Sequence, residues 1–313
     1  MVLNIVLAIA GVALVLWGAD RMTDGAVAIA HRLSIPPIVI GLTIVAMGTS
    51  MPEFCVSLVS ALKGTADLAI GNVVGSNIMN VLLIVGIAAM VSPMVISKST
   101  VKKDIPWAVV SAILLSVFCF DNNLSRVEAL VLFVLFISFL FYTLWMAKKG
   151  KVTESDENVK KYSPLVAVGL VLLGLACLVF GSNLFVDSAT KIAASLGVSE
   201  AVIGLTIVAG GTSLPELATS VVAARKGQSA IAIGNVIGSN VFNILMILGI
   251  TGLICPMEMP GITIVDLALM VASILILWFF TYTKYKVERW EGAVLFAILV
   301  AYMWWLVSQA AGK

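Results

Sequence analysis

The stretch VIGLTIVAMGTSMPE (39–53) returns 163 residues later as VIGLTIVAGGTSLPE (202–216). A second stretch shares the same offset: AIGNVVGSNIMNVLLIVGI (69–87) becomes AIGNVIGSNVFNILMILGI (232–250). Between residues 39–87 and 202–250, 31 of 49 positions are identical. The match thins outward but continues, pairing Gly18, Asp24 and Pro93 with Gly181, Asp187 and Pro256. Duplication alone accounts for a repeat. It does not account for the most similar stretches being the polar ones.

Around these motifs the chain is apolar. Hydrophobic residues make up 61% of the 313 and charged residues 12%, with a mean hydropathy of +1.11. Soluble domains carry about 25% charged residues, and crossing a bilayer takes roughly 20 apolar residues of helix. The sequence therefore predicts an all-α membrane protein whose partner is the lipid bilayer. A net charge of +2 gives no reason to expect nucleic acid. Polar punctuation divides the chain into ten spans, near 3–30, 36–62, 69–91, 106–121, 127–147, 164–192, 199–224, 231–254, 262–283 and 290–310. The opening segment lacks a basic start and a cleavage site, and reads as the first helix. Residues 1–147 then form one five-helix repeat and 164–313 a second. The hydrophilic KKGKVTESDENVKKYSP (148–164) contains the linker, 148–163. Five is odd, so the second repeat enters the membrane upside down relative to the first. Inverted repeats of this kind build secondary transporters with a midplane site between the halves.

Lysine and arginine placement sets the orientation. One set of connections holds 14 of them, including Lys98, Lys102, Lys103, Lys226 and the linker lysines; the other holds only Lys63, Arg126, Lys191 and Lys313. The first set, and with it the linker, is expected in the cytoplasm, and both termini outside it.

Glu53 and Glu216 sit deep inside apolar spans with no basic residue near them in sequence. A carboxylate at membrane depth costs a few kcal/mol or more unless paired, hydrated or bound to a cation. On a helix, Thr49 and Ser50 share a face with Glu53, and Thr212 and Ser213 share one with Glu216. Pro52 and Pro215 each remove an amide donor, which frees the carbonyls of Gly48 and Gly211 for a cation. The second motif adds Ser76 and Asn80, and Ser239 and Asn243. Gly71, Gly75, Gly234 and Gly238 offer small faces for close packing. For Asn72, Asn77, Asn235 and Asn240, interhelical hydrogen bonding is at least as good a reading as ligation. Asp20, Arg21 and Asp24 are expected to cap or pair locally. Every proposed donor is oxygen, which selects hard cations such as calcium, sodium or magnesium, and a dehydrated cage favours the first two.

The paired GTSMPE (48–53) and GTSLPE (211–216), each followed by GNVVGSN or GNVIGSN, resemble the alpha repeats of the sodium/calcium exchanger family, in its short-linker prokaryotic form. The resemblance implies that Glu53, Glu216, Thr49 and Thr212 bind calcium. It implies flanking sodium sites built from Ser50, Ser76 and the Ala46 carbonyl in one half, and Ser213, Ser239 and the Ala209 carbonyl in the other. Asn80 and Asn243 complete the centre. Some members carry Asp at the position of Asn243, so this chain has two carboxylates where they have three. The implied activity is sodium/calcium antiport by alternating access in a prokaryotic inner membrane, with calcium and sodium as cargo. No cofactor is implied, and a monomer suffices for the site.

Two other transport readings stay open on the residues alone: a calcium/proton antiporter, in which the glutamates carry protons, and a cation channel. An intramembrane enzyme has little support. No Ser/His dyad or metal-binding His pair exists, the single histidine, His31, lies near a helix end, and no catalytic residue is assigned. The four cysteines, Cys55, Cys119, Cys177 and Cys255, have neither metal nor disulfide spacing.

Overall fold

Lipid offers no hydrogen bonds, so an apolar chain at membrane depth must satisfy its own amides, and helices do so locally. The computed structural model describes residues 1–149, 162–196, 209–258 and 261–311. Its helices are α1 (Val2–Leu33), α2 (Pro37–Thr49), α3 (Met51–Leu62), α4 (Ala66–Val91), α5 (Thr100–Asp121), α6 (Arg126–Lys148), α7 (Pro164–Ser195), α8 (Ala209–Thr212), α9 (Leu214–Arg225), α10 (Ser229–Ile254), α11 (Ile264–Lys284) and α12 (Arg289–Ser308). Among the described residues, eight of these are long and apolar enough to cross a membrane. A ninth span is formed if α2 and α3, bent by 46° at their junction, count as one. The expected span 199–224 is represented by α8 and α9; its start lies outside the described residues, as does most of the expected linker. The fourth span begins at Thr100 rather than 106, because a π-turn over Thr100–Asp104 precedes Pro106. The exposed Lys102 and Lys103 in that turn hid it from a hydropathy reading.

Proline and glycine mark the helix ends as local sterics require. Proline stands in the first turn of α2, α3, α7 and α9, where its missing N–H goes unmissed. Gly64 and Gly227 follow α3 and α9 with φ of 78° and 75°, a left-handed turn that favours glycine.

The two motif helices form the centre. The most apolar stretches of α4 and α10 are 72% and 78% buried, against 22–39% for the other spanning helices. Outside them, α1 packs along the whole of α7. A Cβ on Gly11 would lie 2.7 Å from the Gly181 carbonyl, one on Gly18 2.8 Å from that of Gly174, and one on Gly25 2.7 Å from that of Ala167. As one number rises the other falls, so the two helices run antiparallel. The seven-residue spacing keeps the glycines on one seam. There they let the backbones touch, which is how helices associate without a hydrophobic driving force.

Two short antiparallel ribbons tie the halves at their ends. β1 (Met94–Val95) pairs with β4 (Lys286–Val287), and β2 (Asn123–Leu124) with β3 (Met257–Glu258). Adding the 163-residue offset to β1 and β2 gives β3 and β4, so each ribbon is the counterpart of the other.

The α1–α7 seam predicts that Gly18→Val destabilises the protein by about 1–3 kcal/mol through overpacking. Gly169→Val, at a position with nothing within 4 Å, serves as the control. Thermal unfolding in detergent should fall for the first and stay unchanged for the second.

Candidate ion site

Each half builds its share of the site from a broken helix and a π-turn. Between α2 and α3, Ser50 adopts φ −84° and ψ 8°; between α8 and α9, Ser213 adopts φ −83° and ψ 3°. Both breaks precede a proline that cannot donate to the preceding turn. The break puts Thr49, Ser50 and Glu53 into the interior from one half, and Thr212, Ser213 and Glu216 from the other. In the second motif the α-helix widens into π-turns over Asn80–Val85 in α4 and Phe242–Ile247 in α10. Such turns leave backbone carbonyls less tightly paired and recur at functional sites.

The halves interlock. α3 packs against the π-turn Phe242–Ile247, and α9 against the π-turn Asn80–Val85. Each glutamate helix therefore lies on the other half's asparagine turn. Glu53 and Glu216 are each 1% exposed and lie close enough to repel one another. The Ser50 hydroxyl donates to Glu216 Oε1 at 2.9 Å, linking the first motif directly to the second carboxylate. Thr49 and Thr212 stand within reach of Glu216 and Glu53 respectively. Among the described residues, no Lys or Arg pairs with either carboxylate.

The asparagines supply a scaffold. Asn72 donates to the Glu53 carbonyl at 3.2 Å and to Ser57 at 3.0 Å. Asn235 repeats this with the Glu216 carbonyl at 3.3 Å and Ser220 at 3.0 Å, and its Oδ1 accepts from Thr49 at 3.1 Å. Asn240 accepts from Asn80 at 2.9 Å, and Asn77 donates to the Val73 carbonyl at 2.7 Å. Ser57 and Ser220, one helical turn beyond each glutamate, escaped sequence reasoning. Their repetition at the i+4 position of both halves was the signal available.

What is left over is mostly oxygen. Among the described residues, Glu53 Oε2, Glu216 Oε2, Ser213 Oγ, Ser239 Oγ, Asn80 Oδ1 and both amide atoms of Asn243 are buried with no hydrogen-bond partner. Orphaned polar atoms are rare in protein interiors and each costs about 1–3 kcal/mol. Their concentration around two carboxylates suits a dehydrated hard cation. Ser76 is also buried, one turn before Asn80. The Ala46 carbonyl accepts the Ser50 N–H at 3.0 Å and, at a longer 3.4 Å, the Thr49 hydroxyl. Ala209 opens α8.

Two expectations change. The Gly211 carbonyl freed by Pro215 is not left bare, because Ser182 on α7 donates to it at 2.6 Å and takes one of its two lone pairs. Position 19, the counterpart of Ser182, is alanine, so sequence symmetry concealed this donor. Arg21 does pair locally with Asp20, at 3.3 Å, but Asp20 and Asp24 also both reach Lys226, 206 and 202 residues away. The small faces of Gly234 and Gly238 pack against Ile38, Gly41 and Leu42 as expected. The equivalent neighbours of Gly71 and Gly75 lie outside the described residues.

Comparison with known proteins agrees with this architecture. The family described as "Sodium/calcium exchanger protein" matches residues 3–145 and 166–308, one match per half. The sodium/calcium exchanger MaX1 of Methanosarcina acetivorans is 36% identical, over 96% of this chain and 97% of its own. The inner membrane protein YrbG of Escherichia coli is 36% identical over 82% of each chain. Among solved structures, the sodium-calcium exchanger NCX_Mj superimposes with a TM-score of 0.85 at 32% identity, covering 97% of this chain and 98% of its own. A family match in both halves, full-length relatives and a shared fold lead to one conclusion: the chain belongs to the sodium/calcium exchanger family, a family of membrane antiporters and not of enzymes.

Proposed function

We propose that this protein exchanges sodium for calcium across a prokaryotic inner membrane by alternating access at the Glu53–Glu216 site. The observation that carries the proposal is the cluster of oxygens, unpartnered among the described residues, around two buried carboxylates at the junction of the halves. Ten spans in two inverted repeats account for the antiparallel seam between α1 and α7, for the paired ribbons, and for the lysine and arginine asymmetry, with both termini outside the cytoplasm. The names of MaX1 and NCX_Mj support sodium and calcium as cargo.

In this reading Glu53, Glu216, Thr49 and Thr212 hold calcium. Ser50, Ser76 and the Ala46 carbonyl serve sodium in one half, and Ser213, Ser239 and the Ala209 carbonyl in the other. Asn80 and Asn243 close the centre. Two carboxylates carry a formal charge of −2, which one calcium or two sodium ions neutralise. A third sodium would rest on neutral oxygens and leave net positive charge. Because the two ion types share ligands, they compete, and competition is the minimum requirement for exchange. Ions shift the inward–outward balance only through unequal affinity for the two states. The empty site, with two uncompensated carboxylates in low dielectric, is the state least able to cross between them. All of these residues come from one chain, so a monomer suffices.

Proteoliposomes loaded with sodium and diluted into sodium-free buffer should take up calcium-45, while sodium-matched vesicles should not. Uptake driven by an outward proton gradient without sodium would assign the chain to proton coupling instead. Glu53→Gln and Glu216→Gln should each abolish uptake, and retained sodium-driven flux in both would remove the site. Asn235→Ala, which frees the Glu216 carbonyl, Ser220 and Thr49 together, should weaken apparent calcium affinity roughly 10–100-fold, the effect usual for groups that orient metal ligands. Asn77→Ala should do much less.

A further inference from the structure

Lys226 follows α9 at the turn into α10, and its ammonium makes three bonds, all to α1. It meets Asp20 Oδ1 at 2.6 Å, Asp24 Oδ1 at 2.6 Å and the Asp20 carbonyl at 2.9 Å. A lysine has three protons to donate, so this one is fully engaged. The Asp24 side chain is only 12% exposed, which spares its pair much of the screening that weakens surface ion pairs. Along the same side, α1 packs against α9.

The 163-residue offset maps this arrangement onto the other half. Lys226 corresponds to Lys63, at the turn after α3; Asp24 corresponds to Asp187 on α7; Asp20 corresponds to Asn183. The turn geometry is shared, with Gly64 and Gly227 at nearly equal φ. The contacts are not. Lys63 and Asp187 are both exposed, and among the described residues neither takes an ion pair. α7 forms no seam along α3 comparable to that of α1 along α9. One face of the molecule is latched and its counterpart is open.

We infer that Lys226–Asp20/Asp24 and Lys63–Asp187 are reciprocal latches that close alternately on opposite faces of the membrane and bias the exchanger toward the state in which the Lys226 latch is shut. The inference rests on the proposal of alternating access. Because α1 and α7 are joined along their glycine seam, they move as one body, and motion that brings Asp187 to Lys63 draws Asp20 and Asp24 away from Lys226. The bias comes from composition: the first latch has two carboxylates and a carbonyl, the second a single carboxylate with Asn183 beside it. By the lysine and arginine distribution the stronger latch lies on the cytoplasmic face. These are positioning residues. They touch no ion and act through the balance of the two states.

The test is hydrogen–deuterium exchange of the full chain in lipid nanodiscs, read at the two turns 62–66 and 225–229. Lys226→Met should raise exchange at 225–229 and lower it at 62–66, each by about fivefold, the low end of ordinary coupling between sites. Asn183→Asp, a change on an exposed position, should shift both turns in the same directions by arming the weaker latch. Adding Lys63→Met to Asn183→Asp should cancel that shift. Changes confined to 225–229 in Lys226→Met, with Asn183→Asp silent, would reduce the contact to a local ion pair and overturn the inference. Reciprocal shifts in a protein that takes up no calcium under any gradient would keep the latches and remove sodium/calcium exchange as their purpose.

Discussion

Two carboxylates face each other inside the hydrophobic centre of this molecule with no basic side chain among the described residues to neutralise them. Lipid and packed helix offer little solvation, so their charge has to be met by something that enters from outside. Much of the surrounding structure can be understood as the means of bringing Glu53 and Glu216 together while leaving oxygens unspent. The helix breaks at Ser50 and Ser213 turn hydroxyls inward. The asparagines of the second motif take up backbone carbonyls behind the glutamates and hold the broken segments in place. The acceptors that remain are those nothing in the described residues satisfies.

The interlocking of the halves is a consequence of the same constraint. A single half could present only one glutamate, one threonine–serine pair and one asparagine turn. By laying α3 on the π-turn of α10, and α9 on that of α4, the fold gives each carboxylate neighbours from the opposite half. Small residues make this possible. Gly41 against Gly234, and the α1–α7 glycine seam, let backbones approach to contact distance, where dispersion and weak polar contacts hold helices together in lipid. Burial is accordingly concentrated in the two motif helices, while the outer spans keep apolar faces for the bilayer.

Near-symmetry in sequence coexists with asymmetry in contacts. Ser50 bonds Glu216, while the equivalent Ser213 oxygen has no partner among the described residues. Asn80 bonds Asn240, whereas the side chain of Asn243 bonds none of them. Lys226 is clasped by α1 and Lys63 is not. Two nearly identical sets of residues sit in unlike environments, and on the alternating-access proposal they are one conformation of a molecule whose halves exchange roles, with Ala19 against Ser182 and Asp20 against Asn183 as the places where the exchange is unequal.

The sequence by itself determined the helical class, the duplication and the residues with reason to meet an ion, because these depend on local quantities: hydropathy over a span, identity at a fixed offset, and the cost of a charge in lipid. Thr49, Ser50, Glu53 and their counterparts were legible for that reason. The tertiary structure decided which of those oxygens are already used. Gly211 was freed by Pro215 as local sterics require, yet Ser182 on a distant helix claims it. Asp20 pairs with its neighbour Arg21 as a local reading expects, and it also takes Lys226 from the other half. Ser57 and Ser220 were ordinary helix serines until Asn72 and Asn235 reached them. A hydrogen bond or ion pair needs its partner within about 3 Å, and only the packing of one half into the other sets distances between residues more than a hundred positions apart.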